Sequence, residues 1–262
     1  LQLSAQLGGA DQDAGMSRRG HVPRVFVDTP LAVDATLELG DAKRHHLATV
    51  LRLGVDAPVT LFNGDGHEYG ARIAQADRKR MTLIVEARHS PERESPLSIT
   101  LYQAIARGDR MDFALAKAVE LGVTAIRPVF TERGKVKLEG ERLTKKQAHW
   151  QAVVESAAEQ SGRLVCPALH TAARLSTCLD SDRDHLRLML APTAPAGLAS
   201  TTPHKRVALL IGPESGLSEP EIDTAATAGW QPITLGPRIL RTETAGMAAL
   251  AALQSLWGDL GG

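Results

Sequence analysis

Residues 235–245 read Leu235-Gly236-Pro237-Arg238-Ile239-Leu240-Arg241-Thr242-Glu243-Thr244-Ala245. The stretch follows a short apolar strand, Pro232 to Leu235, and runs straight into an Ala/Leu-rich segment whose spacing predicts a helix from about Thr242 to Trp257. A second turn of the same kind, Ile211-Gly212-Pro213-Glu214-Ser215-Gly216, follows the apolar run Val207 to Ile211. It precedes Ser218-Glu219-Pro220-Glu221, whose Ser-x-x-Glu spacing caps a helix ending at Gly229. Gly-Pro turns between strand and helix leave backbone N–H groups free. In open α/β sheets ligands bind outside the carboxyl ends of strands, so these two loops are the first places to look for a site.

Upstream of these loops the same rhythm of strand and helix recurs. Ile99 to Ile105 and Thr124 to Phe130 read as strands, and Arg110 to Leu121 as a helix closed by Gly122. Thr144-Lys145-Lys146-Gln147 has capping-box spacing, and Trp150, Val153, Val154, Ala157 and Ala158 follow at helical spacing. Glu155 and Glu159 lie on the opposite face of that helix. Arg187 to Ala191 is a further strand. Alternation of this kind predicts a mostly parallel sheet with helices on both faces, spanning residues 98–262.

Residues 21–93 have a different pattern, with short β-rich segments separated by turns: Arg24 to Val27, Val59 to Phe62, Glu68 to Ile73 and Met81 to Val85. Asn63-Gly64-Asp65-Gly66 is a hairpin signal, and a helical insertion is expected near Ala42 to Val50. The reading is a small β-barrel. Ser90-Pro91-Glu92-Arg93-Glu94-Ser95-Pro96 has no apolar residue and reads as an interdomain linker. Residues 1–20 show no sustained period and read as a disordered tail or extension.

The chain carries 30 Lys and Arg against 30 Asp and Glu. This neutrality excludes a protein that coats nucleic acid through global charge. Its two cysteines, Cys166 and Cys178, stand apart from any CxxC or Cys/His cluster, which predicts reduced thiols and no zinc. The adjacent His45 and His46 have no third ligand at metal-binding spacing, so no metal is expected. The chain has no apolar run of membrane-spanning length and no signal-peptide pattern, and the expectation is a cytoplasmic protein. The glycine signatures of dinucleotide sites, P-loops and α/β hydrolases are absent.

The two loops together resemble the SPOUT methyltransferases, and more narrowly the RsmE family of 16S ribosomal RNA uridine N3-methyltransferases. The likeness extends to Gly108-Asp109-Arg110-Met111-Asp112-Phe113, to Glu120-Leu121-Gly122-Val123-Thr124, and to Glu132-Arg133 with Lys137-Leu138. It also includes Glu155 to Arg163, His46-Leu47 with Val50-Leu51-Arg52, and Phe62 to Gly66. One departure is Ser215, where the family usually has Gly; a serine is costly there if the position needs positive φ. The resemblance implies a trefoil-knotted domain, with the knot at about 207–256, behind a PUA-like barrel. It also implies S-adenosylmethionine as cofactor, a homodimer, and 16S rRNA within the 30S subunit as partner. On this basis Leu190, Gly212, Glu214, Gly216, Leu235, Gly236, Ile239 and Leu240 surround the cofactor, and Thr244 and Ala245 begin the helix that closes its pocket.

The implied reaction moves a methyl group from a sulfonium to uracil N3, so cations that stabilise the uracil anion are needed. Arg110, Arg163, Arg238 and Arg241 are the candidates, with Arg110 and Arg241 favoured, and Glu243 or Glu214 can orient them or accept the proton. For RNA contact, 98–165 carries 11 Lys and Arg against 8 Asp and Glu, while both flanking parts are slightly acidic. Arg133, Lys135 and Lys137, with Arg142, Lys145 and Lys146 beyond them, form a candidate phosphate-contacting arm. Arg163, Arg238, Arg24 and Arg52 complete the candidate RNA surface, and Arg44 adds to it on the barrel side. Two rival readings stand beside this one: a tRNA ribose 2′-O-methyltransferase, and a non-catalytic RNA-binding module of ribosome assembly.

Overall fold

The computed structural model describes residues 22–261, so the tail expected over 1–20 lies outside the described residues. The N-terminal part holds β1 (Arg24–Phe26), β2 (Thr36–Glu38), β3 (Pro58–Phe62), β4 (Glu68–Ala76) and β5 (Met81–His89) in the order β1-β3-β4-β5-β2. β1 joins β3 in parallel, and the remaining pairs are antiparallel. Alternate residues of β4 and β5 are buried, because only one face of this curled sheet meets a core. β1 and β2 remain as edges, so the expected barrel is a half-barrel. The insertion comprises α1 (Asp41–His45) followed by a π-helical turn over His46–Val50, which seats Leu47 in the core. The β3–β4 hairpin turns at Gly64 and Gly66, with φ of 91° and 85°. Tyr69 donates its hydroxyl to the Asp65 carboxylate at 2.7 Å and braces that turn.

The second part contains β6 (Ser98–Ala104), α2 (Asp109–Glu120), β7 (Ala125–Phe130), α3 (Gly140–Ser161), β8 (Ala168–Leu169), β9 (Ala173–Arg174) and α4 (Leu175–Cys178). It continues through β10 (Leu186–Leu190), β11 (Arg206–Ile211), α5 (Glu219–Thr227), β12 (Gln231–Ile233) and α6 (Thr242–Trp257). The sheet order is β12-β10-β11-β6-β7-β8, with β9 also on β7, and every pair is parallel. Covered on both faces, β11 reads as one apolar run rather than an alternation. Val207, Leu209 and Ile211 face the core beneath α2, α3 and α6, and Ala208 and Leu210 face α4 and α5.

After β12 the chain passes beside the loop that leaves β10. Thr234 donates its N–H to Ala196 at 2.9 Å and bridges Gly197 in parallel, and Ala191 donates to Ile233 at 2.9 Å. The chain then returns across the sheet as α6 to pack on α2, β6 and β11. This is the trefoil-knotted, doubly covered parallel sheet expected from the resemblance.

Two expectations need correction. α3 begins at Gly140, not at Thr144, and its N-cap Glu139 makes no side-chain cap bond. Thr144 sits inside the first turns, donating its hydroxyl to Gly140, because Glu141 and Lys145 pair at 2.7 Å and Leu143 packs on the core. Glu155 and Glu159 are not on a solvated face either. Glu159 accepts the N–H of Phe26 at 2.9 Å, and Glu155 lies 3.7 Å from Lys43, so this face of α3 is the seam with the half-barrel.

The linker is likewise part of that seam. Glu94 holds Arg163 Nη2 at 2.6 Å and also accepts the N–H groups of Leu164 and Val165 at 2.8 and 3.2 Å. Arg163 donates to the carbonyls of Val119 and Val123 at 2.9 and 3.1 Å. Its side chain is 6% exposed, which takes it out of the candidate RNA surface. Arg24 leaves that surface for the same reason: its side chain is 9% exposed, pairs with Glu68 at 2.5 Å and donates to the Arg163 carbonyl at 2.8 Å. Cys166 and Cys178 are free thiols, and burial pushes that of Cys166 up to about 12.

Removing one member of a buried pair strands its partner. We therefore expect Arg163→Met to lower unfolding free energy by about 3 kcal/mol in urea titrations, and a loss below about 1 kcal/mol would contradict this role. A second prediction concerns pH. Desolvation raises the Glu159 carboxyl above its ordinary value, outweighing the Phe26 N–H and Lys43, which act to lower it. The folded protein thus binds this proton more tightly than the unfolded chain does. The associated stability is present below the ordinary carboxylate range and is lost as pH rises through the folded value. Glu159→Gln, measured against wild type by denaturation across that range, should gain relative stability as pH rises and then level off. A gain that shrinks with rising pH would reverse the assignment.

Candidate active site

The carboxyl ends of β10, β11 and β12 lie side by side, and the loops that leave them, with the start of α6, enclose a cavity of about 350 Å³. Its lining is largely aliphatic. Leu190, Gly212, Glu214, Gly216, Leu235, Ile239, Leu240 and Ala245 all line it, together with Arg238 and Arg241. Gly236 lies within the same loop, and Thr244 in the first turn of α6, but neither lines the cavity.

Local chemistry accounts for both loops. Ser218 caps α5 through a full capping box with Glu221, which fixes where the first loop ends. A Cβ at Gly212 would press on Leu217 at 3.2 Å, so glycine lets the loop turn back on itself without displacing that side chain. Gly216 and Gly236 take φ of 71° and 86°. Ser215 is not among the positive-φ residues, so the substitution costs no backbone strain. Its hydroxyl donates to the Arg133 carbonyl at 2.9 Å, adding a tie that glycine lacks.

That tie is one of several holding the loop after β7 against the loop after β11. Arg133 Nη1 donates to the Leu217 carbonyl at 3.1 Å, Ser218 donates to Glu132 at 2.5 Å, and the N–H of Glu132 donates to Glu221 at 2.8 Å. The pinned loop carries Lys135 and Lys137 exposed beside the cavity's loops. Arg52 is exposed on the half-barrel, at φ 56°, just beyond the π-helical turn.

At the mouth, Arg110 Nη1 from α2 pairs with Glu214 at 3.2 Å, with both side chains substantially exposed. Arg238 and Arg241 are exposed and make no ion pair or side-chain hydrogen bond among the described residues. Glu243, in the first turn of α6, has a buried Oε2 without a hydrogen-bond partner among the described residues. The N–H groups of Gly236, Ile239 and Leu240 likewise find no acceptor among those residues.

Sequence reasoning missed part of the wall. Ala191, Pro192 and Thr193, directly after β10, line the cavity, as do Leu217, Ile222 and Thr242. The first three carried the same signal as the other loops, an apolar strand followed by proline. Thr242 carried none, since it reads as an ordinary first residue of a helix.

An aliphatic cleft edged by free backbone donors and unpaired arginines suits a ligand with a flat heterocycle and a polar tail, as S-adenosylmethionine has. Gly236 supports this fit, since a Cβ there would meet nothing within 4 Å and its backbone is open to an approaching group. The comparisons point the same way. The model of the RNA methyltransferase domain matches residues 93–254, and that of the RNA methyltransferase PUA domain matches 39–86. The ribosomal RNA small subunit methyltransferase E of Buchnera aphidicola is 33% identical over 242 residues, covering 91% of this chain and 98% of that protein. Among solved structures, a Legionella pneumophila methyltransferase with bound cofactor SAM superposes with a TM-score of 0.88 at 38% identity, covering 91% of this chain and 99% of that one. The ribosomal RNA small subunit methyltransferase E of Neisseria gonorrhoeae, bound to S-adenosyl methionine, gives 0.85 at 41% identity with the same coverage. The fold is shared over nearly the whole chain, and the chain belongs to the ribosomal RNA small subunit methyltransferase E family.

Proposed function

We propose that this protein methylates a uracil N3 in 16S rRNA of the 30S subunit, acting as a cytoplasmic homodimer with S-adenosylmethionine as donor. The observation that carries the reading is the aliphatic cleft whose rim holds unpaired Arg238 and Arg241 beside free backbone donors. When bound, the cofactor supplies an electrophilic methyl group on a sulfonium. The backbone N–H groups of Ile239 and Leu240, with that of Gly236 in the same loop, would donate to the cofactor's polar edges, and Leu190, Leu235 and Leu240 would supply the apolar walls around it.

Uracil N3 carries a proton in neutral solution, so it becomes nucleophilic as that proton leaves. Arg241, unpaired at the cavity like Arg238 and directly ahead of the first residue of α6, is assigned to stabilise the developing anion. Arg110 is engaged by Glu214, and the pair positions the mouth of the cleft. Glu243 either orients the rim arginines or takes the proton, using the carboxylate oxygen that has no partner. Lys135 and Lys137, on the loop pinned beside the cleft, and Arg52 on the half-barrel contact phosphates and set the register of the RNA. In the homodimer, the outward side of α6, where Ala248 and Ala252 are only half-buried, meets the second copy.

The direct test is labelled S-adenosylmethionine with 30S subunits from a strain lacking this activity, followed by nucleoside analysis. Label in 3-methyluridine is expected. Label on a ribose 2′-oxygen, or no label, would reject the assignment. Arg241→Ala should preserve the circular dichroism spectrum and lower kcat by about a hundredfold; turnover at the wild-type rate would remove Arg241 from the chemistry. Replacing both Lys135 and Lys137 by Ala should weaken RNA binding at every sequence and reduce the slope of log K against log salt by about two. An unchanged slope would place both lysines away from the phosphates.

A further inference from the structure

On β6, Ile99 and Leu101 sit in the core beneath α2, α3 and α6, as does Ile105 just past the strand's end, and Gln103 occupies the register between Leu101 and Ile105. Two-residue periodicity calls for an aliphatic side chain there. Gln103 is nevertheless 1% exposed, with its Oε1 buried and unpartnered among the described residues. A buried amide left half satisfied is costly, and such groups are commonly kept where they direct something else.

The other half of the amide shows what it directs. Gln103 Nε2 donates to the Ala104 carbonyl at 3.1 Å and to Thr242 Oγ1 at 3.2 Å. Thr242, 4% exposed, has one hydroxyl proton and gives it to the Gly212 carbonyl at 2.6 Å. The direction of this chain is settled, because an amide N–H₂ can only donate and the carbonyl of Gly212 can only accept. Three segments far apart in sequence are thereby joined: the end of β6, the first residue of α6 and the first residue of the loop after β11. Gly212 and Thr242 both line the cavity, whereas Gln103 lies behind it. Space is kept for the amide as well, since a Cβ on Gly246 of α6 would come within 3.3 Å of Gln103 Oε1.

We propose that Gln103 is a positioning residue for the cofactor cleft, acting through Thr242 to set the direction of the Gly212 peptide and the docking of α6 against it. The proposal rests on the cofactor reading above. Among the described residues the hydroxyl of Thr242 is the only hydrogen-bonded link between the amide and the loop, so its loss should free the Gly212 carbonyl and widen the cleft. Arg241 immediately precedes Thr242, so the rim cation is held by the same relay.

The test compares full-length wild type, Gln103→Met, Thr242→Val and the double variant by calorimetry with S-adenosylmethionine and by thermal melting. Each single variant is expected to raise the cofactor Kd by about tenfold. The double variant should be little worse than either single one, because one relay is broken in all three. Thr242→Ser should recover most of the affinity lost in Thr242→Val, although both remove one methyl or hydroxyl group. KM for the RNA should move far less than the cofactor Kd. Wild-type Kd in Thr242→Val, or additive losses in the double variant, would overturn the relay while leaving the cofactor reading intact. Failure of the wild-type protein to bind would overturn both. If Gln103→Met does not fold, the contrast between Thr242→Val and Thr242→Ser decides the matter alone.

Discussion

Parallel pairing of β10 with both β11 and β12 is the constraint from which the site follows. Parallel strands present their carboxyl ends on one side, so three chain exits come together on one edge of the sheet. β12 pairs at the outer edge, while α6, which follows it, packs on β6 and β11 near the middle. The chain must therefore cross back over ground already occupied. It does so beside the loop after β10, held there by Thr234 on Ala196 and Gly197, and that crossing is the floor of the cleft. Knot and site are one piece of geometry.

The cleft was legible in the sequence because its loops are bounded by strong local signals. Apolar runs stop at Gly-Pro, and a capping box or an Ala/Leu helix starts a fixed distance later. α6 begins at Thr242, where the pattern placed it. α3 was harder, since its first turn is Gly-Glu-Arg-Leu, and glycine at φ 53° ahead of two charged residues resembles a loop more than a helix start. Tertiary packing of Leu143 and the Glu141–Lys145 pair outweighed that local preference.

Arginine is the residue whose role sequence alone could not settle. Arg163 ends a well-matched motif as Arg241 sits within one, and Arg24 joins them as a barrel cation, yet burial separates them. Arg163 and Arg24 both spend their donors on carbonyls and a carboxylate at the seam between half-barrel and knotted domain. Arg241 and Arg238 have no such partners among the described residues and remain available to a ligand. The local charge excess over 98–165 divides the same way. Some of it, such as Arg163 and Arg127, neutralises internal carboxylates, and the exposed remainder, which includes Lys135 and Lys137 on the loop after β7, is left to meet phosphate.

The seam also explains why an apparently flexible connection is rigid. Seven polar residues with two prolines would suit a spacer, but Glu94 within them gathers one guanidinium and two backbone N–H groups, and Ser95 donates to Gln254 of α6 at 2.6 Å. Gln254 in turn donates to the Leu121 carbonyl at the end of α2. The half-barrel is thus fixed to the same helix whose first turn carries Arg241 and Thr242. On the proposed reading, an RNA held on the half-barrel would be presented to the cleft at a set distance, because the linker is tied to the far end of the helix whose start lines the cleft. Positional accuracy in such a site does not need many base contacts. On the proposed reading, phosphate contacts on two rigidly joined surfaces would already limit which nucleotide reaches the donor.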